Sequence, residues 1–238
     1  MDFYTQNVLP MIEKTCDVLE NTPQMQDILH GTMPQDRFQF QILHNYQYLI
    51  EYTRCWAVGM SKCQGFDELD AWYEVLKDTM ENTLRRNREK WPGRLPITVD
   101  DMENTIMAAG KRSYTSHELA RSFEGDLASV FMALFPCNIN YWYLGQRLYP
   151  QCTLPEDNMF RMWIGNYVAP NYVEKCKREI GICNRLCGSK TPREQAKLLE
   201  IFATGCNYEI LQWRDMYYKM ETWPLPELFP PKFTTIPE

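Results

Sequence analysis

Helical periodicity running almost without interruption restricts this chain to an all-α fold. Apolar residues return every three or four positions through most of its 238 residues, and only 11 glycines break the pattern. Strand-like alternation is scarce. Asn-Gly and Asp-Gly, the dipeptides that turn tight hairpins, do not occur. With 45% hydrophobic residues the chain can bury a sizeable core.

The spacing predicts a first helix over residues 2–20, with Val8, Met11, Ile12, Val18 and Leu19 on its apolar side. A short helix over residues 25–30 ends at Gly31, and Pro34 opens a long one reaching about residue 62. Residues 66–91 repeat the pattern through Leu69, Trp72, Val75, Leu76, Met80 and Leu84. Pro92, Gly93 and Pro96 make the next stretch a loop. Thr98 or Asp100 then caps a short helix through residue 107. Residues 114–148 read as helical with Pro136 inside, and residues 156–186 as one helix bent at Pro170. Thr191-Pro192-Arg193-Glu194 begins the last helix, which runs to about residue 219. No repeat or Gly/Ser linker divides the chain. The expectation is one helical bundle domain, residues 1–222, and an extended proline-rich tail, residues 223–238.

The net charge of −6 argues against a polyanion-binding surface. The densest basic stretch, residues 85–90, follows Asp78 and Glu81 on one helix and reads as a solvated face. With no helix-turn-helix signal, nucleic acid is not an expected partner. The most apolar segment, residues 127–135, is far too short to span a membrane, and the N-terminus lacks the form of a signal peptide. Nine cysteines, an odd number without a regular framework, read as reduced thiols of a cytoplasmic protein. Cys183 and Cys187 lack the partners a zinc site needs, so no metal or cofactor is expected.

Three constellations carry chemistry. In Leu134-Phe135-Pro136-Cys137-Asn138-Ile139-Asn140-Tyr141, proline removes a backbone N–H and Cys137 follows directly, with Tyr141 one turn on. Cys137 is either a small core residue or a nucleophile. Asn45, Tyr48 and Tyr52 share one helix face, which is either a polar surface stripe or a wall for a flat, hydrogen-bonding ligand. Glu209 sits among Phe202, Gly205, Cys206, Trp213 and Met216 at helical spacing. A carboxylate there needs a partner, as in a buried ion pair, or a raised pKa and a proton-transfer role.

These segments, with Tyr114-Thr115-Ser116 and Met162-Trp163-Ile164-Gly165-Asn166-Tyr167, together resemble the TenA/THI-4 family of thiaminase II, its cysteine-containing type. The resemblance covers roughly residues 28–218. It implies a heme-oxygenase-like helical bundle, commonly a homotetramer, that hydrolyses aminopyrimidines in thiamin salvage. The family's nucleophile falls on Cys137, its catalytic glutamate on Glu209, and its pocket tyrosines on Tyr48, Tyr114, Tyr141 and Tyr167. The family usually has aspartate, which holds the substrate amino group, where this chain has Asn45. It also often has histidine where Arg85 follows Glu81-Asn82-Thr83-Leu84. Both departures bear on the substrate, and a non-catalytic pyrimidine-binding or regulatory protein is the alternative. A heme or di-iron oxidase has little to work with: the histidines are His30, His44 and His117, and no Glu-x-x-His pair occurs.

Overall fold

The computed structural model describes residues 2–218 and 223–229. Among these, regular structure is helical throughout, apart from an isolated bridge between Pro92 and Leu95. The chain divides into two compact units, residues 1–33 with 120–211 and residues 34–119 with 212–238.

Unit one is built around α8 (Leu127–Leu148). Val130, Phe131, Met132, Ala133, Leu134 and Phe135 are all fully buried. A helix apolar on every side belongs in a core. Two helices pack on it: α1 (Leu9–Glu20), entered through a π turn at Tyr4–Val8, and α10 (Pro170–Gly188). Packed on each other are α2 (Pro23–His30) and α9 (Met159–Asn166), and α9 also meets α8. The first part of α11 (Pro192–Tyr218) belongs to the same unit. Gly31, at φ 74°, ends α2 in the left-handed conformation that a side chain would disfavour.

Unit two is carried by α3 (Gln35–Met60). It packs against α4 (Phe66–Asp78), a π segment at Thr79–Arg85, and α6 (Val99–Asn104). The short α5 (Arg86–Lys90) follows the π segment, and most of α7 (Ala109–Glu124) lies in this unit. Trp72 anchors α4 to α3: its indole N–H donates to the Trp56 carbonyl at 2.7 Å, and the two rings lie 4.9 Å apart. Gly59 is required for that approach, since a Cβ there would fall 2.2 Å from the Trp72 ring.

Several expected elements differ in detail. The run over residues 114–148 is two helices, because Gly125 interrupts it and Asp126 caps α8 by accepting the Ser129 N–H at 3.0 Å. Residues 156–186 also form two helices rather than one bent helix. Asn158 caps α9, and Ala169, held extended ahead of Pro170, starts α10 afresh. The helix expected to reach residue 107 stops at Asn104. Both capping boxes form, Thr98 with Asp101 and Thr191 with Glu194. In α1, Val18 faces solvent while Thr15 and Cys16 are buried. On α4 and the π segment, Leu69 and Met80 are exposed, so the apolar stripe narrows to Trp72 and Val75. The tail is not extended throughout: a 3-10 turn at Pro226–Leu228 follows Trp223, whose indole N–H donates to the Met107 carbonyl at 2.9 Å. Residues 219–222 and 230–238 lie outside the described residues.

The basic stretch is solvated except at its end. Lys90 Nζ is buried with no hydrogen-bond acceptor among the described residues, and it sits 4.6 Å over the Trp91 ring. Burial, helped by Arg86 and Arg94, pushes its pKa down from 10.5 to about 8. Between those values the unfolded chain holds a proton that the folded chain has released, so this group's penalty is relieved as pH rises. Lys90→Met is therefore expected to raise Tm at pH 7. It should also remove the rise in stability between about pH 8 and 10.5, as followed by thermal melts across that window.

Candidate active site

Proline at position 136 deprives α8 of one hydrogen bond, yet the helix continues through it. The ring is accommodated by Gly205 on α11, where a Cβ would come within 2.6 Å of Pro136 Cγ. Cys137 follows. From Val130 to Tyr141 it is the one position that is not buried. Half-buried Cys137 is thus a local exception within that stretch.

One turn on, the Tyr141 hydroxyl donates to Glu209 Oε2 at 2.9 Å. Glu209 is fully buried on α11, so the phenol supplies a partner that a buried carboxyl requires. Tyr141 stacks on Tyr167, with centroids 5.0 Å apart at 26°, and takes Trp163 edge-on at 6.1 Å. Tyr167 caps the C-terminus of α9 and approaches α8 at Gly145, where a Cβ would lie 2.7 Å from its own. Its phenol is pushed above the usual tyrosine range, first by burial and then by the charges of Cys137 and Glu209. Thiol and carboxyl therefore both lie within electrostatic reach of one phenol. An oriented carboxyl and an accessible thiol beside stacked tyrosines suit nucleophilic addition to a flat ring with proton transfer.

The other cysteines lack this setting. Among the described residues no two cysteines are joined as a disulfide. Burial pushes Cys16 up to about 12 and Cys206 up to about 11, which keeps them protonated and unreactive.

The remaining expected site residues lie in unit two. Asn45 is half-buried on α3, and Tyr48, one turn later, is almost wholly buried. Tyr48 stacks on Tyr52 at 5.6 Å and on Tyr114 at 5.3 Å, and its hydroxyl donates to Glu118 Oε1 at 2.7 Å. The Lys111 ammonium lies 4.3 Å over the same ring and donates to the Gln212 side-chain oxygen. The expected residues thus form two groups, Cys137, Tyr141, Tyr167 and Glu209 in unit one, and Asn45, Tyr48 and Tyr114 in unit two.

Sequence reasoning missed Lys111 and Glu118, both buried. With Tyr114 they fall at i, i+3 and i+7 on α7, a polar stripe that reads as a solvated face in the sequence and is buried in the structure. It also missed a second buried cluster beside Cys137. Asn138 donates to Glu179 at 2.8 Å and accepts from Lys175 at 3.3 Å, while the Tyr172 hydroxyl donates to the Asn138 carbonyl at 3.0 Å. Withdrawing ions such as Lys175 and Glu179 from water costs several kcal/mol each before pairing, on the order of the gain good geometry returns.

The histidines serve local structure. His44 Nδ1 accepts the Ala108 N–H at 3.0 Å, and His30 lies exposed in the last turn of α2.

Comparison with known proteins places this geometry. The family model described as TENA/THI-4/PQQC matches residues 21–220. An aminopyrimidine aminohydrolase of Helicobacter pylori is 28% identical over 197 residues, covering 83% of this chain and 90% of its own. Among solved structures, the TenA homologue from P. horikoshii OT3 aligns with a TM-score of 0.82 at 20% identity, over 92% of this chain and 99% of that one. A Shewanella denitrificans domain described as having a heme oxygenase-like fold aligns with a TM-score of 0.72 at 10% identity, over 92% and 94% of the two chains. The fold is thus the heme-oxygenase-like helical bundle, and the chain belongs to the TENA/THI-4/PQQC family.

Proposed function

We propose that this protein is a hydrolase of thiamin salvage that acts on an aminopyrimidine, 4-amino-5-aminomethyl-2-methylpyrimidine or thiamin itself, with Cys137 as nucleophile and Glu209 as acid and base. The observation that carries the reading is the pairing around Tyr167: its phenol feels both Cys137 and Glu209, and it stacks on the Tyr141 that holds the carboxyl. The name of the H. pylori relative supports the substrate class. The Cys137 thiolate adds to a ring carbon while Glu209 protonates a ring nitrogen, which takes up the displaced electron pair. The amine on the exocyclic methylene leaves as ammonia, taking the ring-nitrogen proton by way of Glu209, or the thiazole leaves from thiamin. Water then adds its hydroxyl to the methylene carbon and its proton to the ring nitrogen, and the thiolate is expelled as that proton passes back to Glu209. Substrate recognition is assigned to Asn45, Tyr48, Tyr114, Tyr141 and Tyr167.

A second reading, an altered substrate or a pyrimidine-binding protein without turnover, is favoured by one position. Asparagine at position 45 can accept a hydrogen bond but brings no charge to an amino group.

Residues 1–222 are proposed to fold as one cooperative domain and to assemble as a homo-oligomer, a tetramer or dimer, in the cytoplasm. Phe66, Leu69 and Tyr73, exposed along α4, support self-association. Among the described residues no helix is long and apolar enough to cross a membrane. A single melting transition and a light-scattering mass of two or four chains are expected. Separate transitions or a monomer mass would refute the respective statement.

Ammonia release from the aminomethylpyrimidine tests the chemistry. Cys137→Ser, nearly isosteric, is expected to abolish turnover while retaining the fold by circular dichroism, and substantial remaining activity excludes covalent catalysis through Cys137. Glu209→Gln is expected to lower kcat by at least ~100-fold, and an unchanged rate would make Glu209 structural. Asn45→Asp is the reverse test: a gain of activity on the aminomethylpyrimidine means that the natural substrate is a different amino-heterocycle. Absence of ammonia release together with ligand-induced stabilisation of the wild type supports the binding protein instead.

A further inference from the structure

Proline 136 leaves α8 one hydrogen bond short in the turn that carries Cys137. A helix weakened there can shift its next residues unless something else holds them. What holds them is on α10. The Asn138 side chain is wedged between a buried cation and a buried anion: its carboxamide oxygen accepts from Lys175 at 3.3 Å and its amide nitrogen donates to Glu179 at 2.8 Å. Only that orientation of the amide pairs both ions. Asn138, Lys175 and Glu179 are 4%, 1% and 0% exposed, so the bonds are not shared with solvent. The Tyr172 hydroxyl adds a bond to the Asn138 carbonyl at 3.0 Å, and Tyr172 packs edge-on to Tyr167 at 5.3 Å. The cluster thus joins the backbone beside the sulfur to Tyr167, which stacks on Tyr141. Gly205 against Pro136 holds the preceding residue of the same turn.

We propose that Lys175, Asn138 and Glu179 form an ionic clamp that positions the Cys137 sulfur, with Tyr172 as its link to the tyrosine wall. The clamp rests on the reading of Cys137 as nucleophile, and its members are positioning residues that act through that thiol. A buried amide between opposite charges has one favoured orientation, and displacement of it breaks its bond to each of them. A nucleophile misplaced by an ångström loses rate without losing substrate affinity.

The test uses full-length Lys175→Met, Lys175→Arg and Asn138→Ala proteins, assayed for ammonia release from the aminomethylpyrimidine. Lys175→Met and Asn138→Ala are expected to lower kcat by about tenfold or more with KM within about threefold of wild type, and Lys175→Arg to recover most of kcat. Folded Lys175→Met and Asn138→Ala proteins with kcat within about twofold of wild type, or with KM rising in step with the loss, overturn the clamp. If both fail to fold by circular dichroism, Tyr172→Phe, which removes only the bond to the Asn138 carbonyl, decides by the same criteria. If the wild type releases no ammonia, the enzymatic reading fails on its own, and iodoacetamide labelling decides the clamp. Cys63, half-exposed in unit two, serves as the internal reference. A labelling ratio of Cys137 to Cys63 that changes by about threefold or more in Lys175→Met and returns in Lys175→Arg sustains the clamp, and an unchanged ratio overturns it.

Discussion

From Val130 to Tyr141 every residue of α8 but Cys137 is buried, so the polar side chains of that stretch must look to the protein for partners, and that constraint organises unit one. The first half of the stretch answers with hydrocarbon: Val130 through Phe135 are fully buried. Its second half carries Cys137, Asn138, Asn140 and Tyr141 into the same interior, and the protein must supply what water would have supplied. Glu209 accepts from Tyr141, Cys206 is in reach of the Asn140 amide at 3.5 Å, and the Asn140 carbonyl takes the Cys16 thiol at 3.5 Å. Lys175 and Glu179 take the Asn138 amide. Each polar position thereby selects a residue on α1, α10 or α11. The packing of those helices and the arrangement of the polar side chains are one problem with one solution.

Cys137 stands out against that background. Every neighbour from Val130 to Tyr141 is buried, and this one sulfur is partly exposed. A core cysteine of the ordinary kind would look like Cys16 or Cys206, sealed and held as the thiol by burial. The difference is not one of residue type or helix position. Around it, Gly145 lets Tyr167 come close, Gly205 makes room for the Pro136 ring, and a negative charge on Cys137 would push up the phenols of Tyr167 and Tyr172. Two glycines thus set how closely Tyr167 and α11 approach this part of α8.

Much of the fold was legible because helix signals are local. Pro34, Gly31, the cap at Thr98 and the start of the last helix at Thr191 with Glu194 act within a few residues, and all are where the spacing put them. The misread junctions at Gly125-Asp126 and at residues 167–169 lie between helices that are each apolar enough to continue the other's period, which hides the break. Buried polar residues were harder to read. Lys111, Glu118, Lys175 and Glu179 look like solvent-facing residues in any amphipathic pattern, since polarity alone does not distinguish a wet face from a paired one. What separates them is a partner far along the chain, as Asn138 is to Glu179, and single-sequence periodicity holds no such information. Tyr141 and Glu209 were legible for the opposite reason: a carboxyl on an otherwise apolar stripe advertises a missing partner.

The same logic bears on position 45. In unit two the charges are already arranged: Lys111 over the Tyr48 ring and bonded to Gln212, and Glu118 holding the Tyr48 hydroxyl. Both ionisable residues are buried, so the tyrosine stack carries one potential cation and one potential anion of its own. An aspartate on the same face of α3 as Tyr48 would add a further carboxyl to a unit that already buries Glu118. Asparagine keeps the shape and the hydrogen-bonding oxygen of that side chain while adding no charge. Asparagine at position 45 thus adds no charge to those its own unit already buries, and a ligand that met it would find a dipole rather than a counter-ion.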